Sequence, residues 1–308
     1  MHRLICAFLL VLMNCAAGFA QDTATNNVTF GKPQKLHSGF GFVEGPAANA
    51  AGDVYFTDIP NERIHVIRTD GTLETALENS DKCNGLMFDA TGRLWACQGG
   101  KGRIVQIDLK TGEFTPVAST IDGGPFLSTN DLALDAHGGA YFTDPAYWRH
   151  PDAKVGEGVY YVAADGAITR LADSYPRPNG VLLSPKGDVL YLLPAGEKRL
   201  VAYDITAPGK LGPAKTLARL KGGGDGLTVA TDGTLFLTQP RSKSILAVAP
   251  DGTLLGEVKL PESPANVAFG GKNMDTLFVT ARTSVYSIPV NRRGLVVAQD
   301  DSGKTSNE

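Results

Sequence analysis

Six residues with a side-chain oxygen open six similar stretches of this sequence, and they are the first candidates for chemistry. They recur at intervals of about 40 to 50 residues, and two are carboxylic acids while four are amides: Glu44, Asn84, Asn130, Asn179, Asp225 and Asn266. A ring of such oxygens without histidine or thiolate suits a hard divalent cation such as calcium. Glu44 and Asp225 carry the charge that balances this ion, whereas two carboxylates alone at close range would repel each other.

The same residue types also have a plain structural use. Asn and Asp before glycine are common turn residues, because they tolerate left-handed backbone and bond to nearby main chain. That interpretation stays open for any single member of the set. It does not account for Glu44, and it does not require six oxygens to converge, so we interpret the set as a functional site.

The elements that would position these residues are short strands in pairs. Residues 128–148 show the pattern, with alternating segments LALD and AYFTD around a glycine-containing turn. Each copy continues into a second hairpin, marked in the first copy by Asp70-Gly71. Two hairpins make a four-stranded blade, so the sequence predicts an all-β fold, a six-bladed β-propeller with a central channel.

A propeller must close its ring of blades. The last copy has three clear strands, and we predict that an N-terminal strand, Gln34 to Ser38, supplies the fourth. The competing candidate is Gly294 to Ala298. The N-terminal strand is preferred, because its backbone groups would otherwise have no partner.

Four segments are expected along the chain. Residues 1–20 are predicted to be a signal peptide, with a basic start, an apolar run too short for a membrane span and cleavage after Ala20. A lipoprotein anchored at Cys15 is the alternative. Residues 21–31 are expected to be disordered, residues 32–298 form the propeller, and residues 299–308 form a polar tail. The protein is thus predicted to be exported, as a periplasmic or secreted protein.

Composition excludes several functions. The chain has 308 residues, 43% of them hydrophobic, and a formal net charge of −3 with both signs mixed throughout. No concentrated basic face predicts a nucleic-acid or membrane surface. No Gly-x-Ser-x-Gly motif occurs and no histidine opens a channel strand, which argues against a Ser-His-Asp enzyme. Whether Cys83 and Cys97 form a disulfide, and the oligomeric state, are left open.

Strand geometry predicts which side chains surround the ring. The first strand of each blade lines the channel, and the second returns to the same mouth. This places Asp144, Tyr147, Trp148 and Arg282 beside the ring. The two aromatic residues either form an apolar wall for a substrate or pack their own loop. Arg282 either binds a substrate carboxylate or hydroxyl, or is a solvated surface arginine.

Motifs along nearly the whole mature chain carry a family resemblance. They are Val43-Glu44-Gly45-Pro46, Asn130-Asp131-Leu132, Phe142-Thr143-Asp144-Pro145-Ala146-Tyr147, Pro178-Asn179-Gly180-Val181, Asp225-Gly226-Leu227 and Val267-Ala268-Phe269-Gly270-Gly271. The chain resembles the regucalcin–gluconolactonase family of calcium-dependent lactonases. The resemblance implies that Glu44, Asn179 and Asp225 hold the metal, calcium or another divalent cation. It also implies that Asn130 contacts metal or substrate and that Asp225 is the general base.

One stretch departs from the family pattern. The family often carries Asn-Ser-Pro before the Asn-Asp pair, where this chain has Leu127-Ser128-Thr129, and no arginine lies between Gly112 and Asn130. The predicted function is a metal-dependent hydrolase that opens a small-molecule lactone. Whether the substrate is a sugar lactone, another cyclic ester or a phosphoester stays open. The alternative is a non-catalytic propeller that binds a ligand or protein around a structural cation.

Overall fold

The computed structural model of this protein describes residues 27–296. Short antiparallel strands form six sheets, and these sheets follow one another along the chain. The first strand, β1 (Gln34–Ser38), belongs to the last sheet. Blade 1 contains β2 (Val43–Ala48), β3 (Val54–Asp58), β4 (Arg63–Ile67) and β5 (Leu73–Leu77). Blade 2 contains β6 (Cys83–Phe88), β7 (Leu94–Gln98), β8 (Arg103–Ile107) and β9 (Phe114–Ala118), with a 3-10 helix at Gly99–Lys101.

The remaining blades repeat this order. Blade 3 contains β10 (Leu132–Leu134), β11 (Ala140–Asp144), β12 (Gly158–Val162) and β13 (Ile168–Ala172). Blade 4 contains β14 (Gly180–Leu183), β15 (Val189–Leu193), β16 (Arg199–Ala207) and β18 (Lys215–Arg219), while the short β17 (Lys210–Leu211) pairs with the end of β16. Blade 5 contains β19 (Leu227–Val229), β20 (Leu235–Gln239), β21 (Ser244–Val248) and β22 (Leu254–Lys259), with a 3-10 helix at Pro240–Ser242. Blade 6 contains β23 (Asn266–Gly270), β24 (Thr276–Ala281) and β25 (Ser284–Pro289).

The core lies between neighbouring blades. Middle strands such as β3, β7 and β11 are buried along their whole length, because each sheet is covered on both faces by the adjacent sheets. Outer strands such as β5 remain partly exposed. Between blades 2 and 3, the rings of Phe126, Phe142 and Tyr160 pack together at centroid distances of 5.0 to 5.5 Å. The predicted six-bladed propeller is confirmed.

The N-terminal strand closes the ring, as predicted. β1 pairs antiparallel with β25, with Gln34 opposite Ser287, and completes blade 6 as its fourth strand. The competing segment contributes only an isolated bridge between Gly294 and Ala230 among its described residues. The N-terminal strand thus completes the sheet formed by the three C-terminal strands, and β1 and β25 provide hydrogen-bond partners for each other.

Residues 27–31 depart from the expected disorder. Val28 is 7% exposed and belongs to the core between blades 5 and 6. Phe30 lies edge-on against Phe236, with ring centroids 5.9 Å apart. The sequence around them is polar, but these two apolar side chains gain enough burial to hold the segment against the sheets.

Several predictions fall outside the described residues. The signal peptide, the alternative anchor at Cys15, residues 21–26 and the polar tail all lie beyond the range 27–296, and export therefore stays a prediction. Within that range, no helix has the length and apolar character needed to cross a membrane. Cys83 and Cys97 are buried free thiols, not a disulfide.

Candidate functional site

The six innermost strands form a closed wall around the channel. In order they are β2, β6, β10, β14, β19 and β23, each contacts the next, and β23 contacts β2. The recurring polar residues stand at or just before the first residues of these strands, so the fold brings all six to one mouth of the channel. Five of them are at most 7% exposed, and Asp225 is partly buried.

The glycines that follow these polar residues let adjacent blades approach. Gly180 N–H donates to the Asp225 carbonyl at 3.0 Å, and Gly85 N–H donates to that of Asn130 at 2.8 Å. A Cβ on Gly180 would lie 2.4 Å from the Asp225 carbonyl oxygen. Neither glycine has a positive φ, so the Asn-Gly pairs serve close blade contact here and not a left-handed turn.

A threonine repeated in the second strand of several blades holds the main-chain carbonyls of other ring residues. Thr57 Oγ1 donates to the Asn84 carbonyl at 3.1 Å, and Thr143 Oγ1 donates to that of Asn179 at 2.7 Å. Thr280 Oγ1 makes the equivalent bond to Asn266 within its own blade, at 3.2 Å. Sequence reasoning missed these positioning residues, although the threonine recurs at the end of VYFTD, AYFTD and LFVTA.

Two carboxylates at the mouth, those of Glu44 and Asp225, influence each other electrostatically. Glu44 is 5% exposed, and its pKa is raised well above the usual range by burial and by the charge of Asp225. Burial also raises the pKa of Asp225, and a hydrogen bond from Asn179 opposes that rise. Gly45 N–H donates to Glu44 Oε2 at 3.1 Å, and this bond opposes the rise in the Glu44 pKa. Among the described residues no lysine, arginine or histidine forms an ion pair with either carboxylate.

A third carboxylate, Asp131, lies next to this pair and was not among the predicted site residues. Its oxygens accept hydrogen bonds from Leu132 N–H at 3.0 Å and Val181 N–H at 3.4 Å. Burial raises its pKa to about 7, and its own charge raises the pKa of both Glu44 and Asp225. The signal was present, because the third copy carries Asp where four other copies carry Gly.

Asn179 connects the ring to the loop above it. Its Nδ2 donates to the Tyr147 hydroxyl at 2.7 Å, and the same side chain opposes the rise in the Asp225 pKa. Tyr147 is 42% exposed and extends from the loop after β11 to the channel mouth, as the strand geometry predicts. Asn130 is at the mouth too, and its side-chain amide makes no hydrogen bond within the described part of the chain.

Asp144 has a different environment from the expected one. It is fully buried, and its two oxygens accept hydrogen bonds from Leu127 N–H at 2.8 Å and Ser128 N–H at 2.7 Å. Asp58 holds the equivalent loop of blade 1 through Gly41 N–H. These bonds assign Asp144 to fixing the loop before Asn130, and they give no support to its predicted contact with substrate.

Trp148 and Arg282 lie farther out on the same face. The Trp148 indole N–H donates to the Gly99 carbonyl at 3.3 Å, so the side chain rests on the 3-10 helix of blade 2. Arg282 is exposed, and its carbonyl accepts a hydrogen bond from Val43 N–H at 2.8 Å. Substrate contact by either side chain stays a prediction.

The donor set at the mouth fits a hard divalent cation. One buried and one partly buried carboxylate without a cationic partner favour either a proton or a bound metal ion. Because the Asn179 amide nitrogen donates to Tyr147, its amide oxygen is left as a ligand. The described residues contain no cluster of three or more His, Cys, Asp or Glu side chains suited to a metal. The side chains that fit the ion are the carboxylates of Glu44 and Asp225 and the amide oxygen of Asn179.

Fold and site together define a propeller with an oxygen-rich site at the channel mouth. The family model described as SMP-30/gluconolactonase/LRE-like region matches residues 42–283. The chain belongs to this family, which confirms the resemblance drawn from its motifs.

Individual relatives agree with this membership. A gluconolactonase of Zymomonas mobilis is 30% identical over 225 residues, which cover 67% of this chain and 62% of that protein. A gluconolactonase structure from Xanthomonas campestris superposes with a TM-score of 0.78 at 27% identity, covering 84% of this chain and 90% of the other. Regucalcin of Agrobacterium tumefaciens, a calcium-binding protein, has a TM-score of 0.74 at 19% identity, over 86% and 96% of the two chains, which shows a shared fold.

Proposed function

We propose that this protein hydrolyses a lactone with the help of a divalent cation, and that this cation is calcium. The observation that carries the proposal is a pair of carboxylates, the buried Glu44 and the partly buried Asp225, that have no cationic partner among the described residues at a channel mouth rich in amides. Two relatives, at 30% and 27% identity, are gluconolactonases. They support the reaction class, while the donor chemistry supports the metal.

Glu44, Asn179 and Asp225 would hold the cation. When bound, it supplies Lewis-acid polarisation of the lactone carbonyl and stabilises the negative charge that develops there. All three residues are fixed before substrate arrives, because main-chain hydrogen bonds or packed glycines link each to a neighbouring blade. Such preorganisation is what makes electrostatic stabilisation effective.

Asp225 is the proposed general base. Its raised pKa makes it a better proton acceptor than an exposed aspartate. It takes a proton from the attacking water as the hydroxyl adds to the carbonyl carbon. The ring carbon–oxygen bond then breaks, and the proton held by Asp225 passes to the released alkoxide, which gives the hydroxy acid and restores the base. Asn130 provides an uncommitted amide for the substrate or the metal, and Tyr147 provides an edge of the binding surface.

The test compares Asp225→Asn with Asp165→Asn, which removes the same charge from an exposed hairpin turn. Lactone hydrolysis is measured with added calcium and with a chelator, and metal binding is measured by calorimetry. We expect Asp225→Asn to lower kcat at least about hundredfold, the range for a lost general base. The control should retain chelator-sensitive turnover. Retained hydrolysis in Asp225→Asn would refute the base. Tight calcium binding without turnover on sugar, aliphatic and aromatic lactones would favour the structural-cation alternative.

A further inference from the structure

A second feature of the channel mouth is a cavity of about 230 Å³ next to Asp225. Three cationic side chains line it, those of Arg177, Lys198 and Arg241. The wall also contains two acids, Glu197, whose carboxylate is already paired with Arg199, and Asp225 at the edge of the proposed metal site, so the three cations outnumber them. The charge of this cavity is therefore positive, although the whole chain carries a net charge of −3.

Three connections of two adjacent blades place these cations. Arg177 precedes β14, and its carbonyl accepts a hydrogen bond from Ala195 N–H at 2.9 Å. Lys198 lies in the turn before β16, and its carbonyl accepts one from Leu220 N–H at 2.9 Å. Arg241 lies in the 3-10 helix after β20. The main chain under Arg177 and Lys198 is thus held in place while both side chains remain exposed.

These cations have no acidic partner of their own. Within residues 27–296, the side chains of Arg177, Lys198 and Arg241 form neither ion pairs nor hydrogen bonds. The equivalent connection of blade 2 differs, because Lys101 pairs there with Asp81 at 2.7 Å and Arg103 donates to Gln98 at 2.5 Å. Cationic side chains without an acidic partner are therefore found on the Asp225 side of the mouth, whereas those of blade 2 are paired.

The glycine run before Asp225 adds main-chain donors to the same cavity. Gly223 and Gly224 line it, and their N–H groups have no acceptor in the described part of the chain. A Cβ on Gly223 would lie 2.2 Å from the Ala195 carbonyl oxygen, so only glycine allows this close approach. Consecutive main-chain N–H groups beside cationic side chains are a recurrent arrangement for binding anions.

We propose that this cavity is a subsite for an anionic group, a carboxylate, sulfonate or phosphate, carried by the lactone substrate. The inference rests on the proposed lactone hydrolysis, because it takes Asp225 as the reacting end of the same substrate. The planar forks of Arg177 and Arg241 suit bidentate binding of such a group. The subsite would give the enzyme selectivity for charged over neutral lactones.

The kinetic test uses two lactones with the same ring. Glucono-γ-lactone ends in a neutral hydroxymethyl group, and glucaro-γ-lactone carries a carboxylate at that position. We expect the double substitution Lys198→Gln and Arg241→Gln to lower kcat/KM for the charged lactone about tenfold to hundredfold more than for the neutral one, as expected for loss of charged hydrogen bonds. Lys186→Gln, which removes one positive charge from the turn after β14, should leave this ratio unchanged.

Each outcome bears on one of the two proposals. Turnover of both lactones with a ratio that the double substitution does not change would overturn the subsite and leave lactone hydrolysis standing. If Lys186→Gln changed the ratio of kcat/KM for the two lactones as much as the double substitution does, the subsite would also be overturned. That result would show a general effect of the protein's charge.

A binding test decides the subsite even without turnover. Inorganic phosphate is titrated into the protein while the backbone amide signals of Gly223 and Gly224 are followed by NMR. Saturable shifts that disappear in the double variant, but persist in Lys186→Gln, are expected. Competition of phosphate with the charged lactone but not with the neutral one would identify the substrate's own group as the occupant. Absence of saturable shifts would overturn the proposal.

Discussion

A hydrogen bond between the side chains of Asn179 and Tyr147 joins the ring of polar residues to the loop after β11. Burial and the nearby charge of Asp225 raise the pKa of the Tyr147 hydroxyl, and the hydrogen bond from Asn179 opposes that rise. The phenol therefore stays protonated at neutral pH. It can hold the Asn179 amide in place and donate its proton to a ligand, but it cannot serve as a base.

Tyr147→Phe tests this contact. The variant loses one hydrogen bond worth about 0.5 to 1.5 kcal/mol, so we expect KM for a lactone to rise about twofold to tenfold, with a smaller change in kcat. Tyr203→Phe is the matched control, since it removes a hydroxyl that bonds to Tyr175 in the core between blades 3 and 4. A loss of kcat greater than the rise in KM would instead place Tyr147 in the chemical step.

His65 gives a residue-scale prediction for pH. It packs against Phe40 and Phe56, and burial lowers its pKa below the usual value. The folded state therefore binds this proton less readily than the unfolded state. Its contribution to stability is fully present above about pH 6.5, the unfolded pKa, and is lost as the pH falls toward the folded pKa.

The corresponding measurement is chemical unfolding of wild type and His65→Gln between pH 7 and pH 5. We expect wild type to lose stability relative to the variant, with a slope of at most about 1.4 kcal/mol per pH unit. Parallel pH profiles for the two proteins would contradict the assignment to His65.

At the scale of elements, the long loop after β11 is held by one acid. Glu157 Oε1 accepts a hydrogen bond from Ala146 N–H at 2.8 Å, and its Oε2 accepts one from Arg177 N–H at 3.1 Å. One side chain thus ties both ends of the aromatic loop to the segment that precedes Asn179. These bonds anchor the loop that carries Tyr147 and Trp148.

Removing that acid should loosen the loop without unfolding the blades. For Glu157→Ala we expect faster amide hydrogen exchange across residues 146–157 and a higher KM for lactone. Exchange in the middle strands should be unchanged, because they are buried between neighbouring sheets. Glu113→Ala, an exposed acid outside this loop, serves as control. Unaltered exchange in the loop would show that other contacts hold it.

At the scale of the whole molecule, stability depends on closing the ring. β1 supplies the fourth strand of blade 6, and the preceding residues add Val28 and Phe30 to the core between blades 5 and 6. Without this segment, β25 becomes an open edge and apolar surface is uncovered. An open edge also favours pairing with another chain.

Two truncations test the closure. A protein that begins at residue 27 keeps the segment, and one that begins at residue 40 lacks it. We expect the shorter protein to melt at least about 10 °C lower, since a loss of several kcal/mol shifts Tm by about 2 to 4 °C per kcal/mol at this size. It should also aggregate more readily. Equal melting temperatures would mean that closure of blade 6 contributes little.

The sequence alone determined the repeat, the blades and the ring of oxygens. Alternating strands and glycine turns are local signals, and six copies of the same local signal allow one global arrangement. The closing strand followed from the need to pair its backbone. Glu44, Asn179 and Asp225 could therefore be placed at one channel mouth without coordinates.

Only the tertiary structure decided which side chains meet at that mouth. Asp144 bonds to the loop before Asn130, Tyr147 reaches Asn179, and Asp131 adds a third carboxylate. The cationic cavity beside Asp225 arises where connections of two adjacent blades, about 20 to 60 residues apart along the chain, come together. The physical reason is that strand periodicity sets the face of a side chain, whereas loop paths and contacts between blades set its partners.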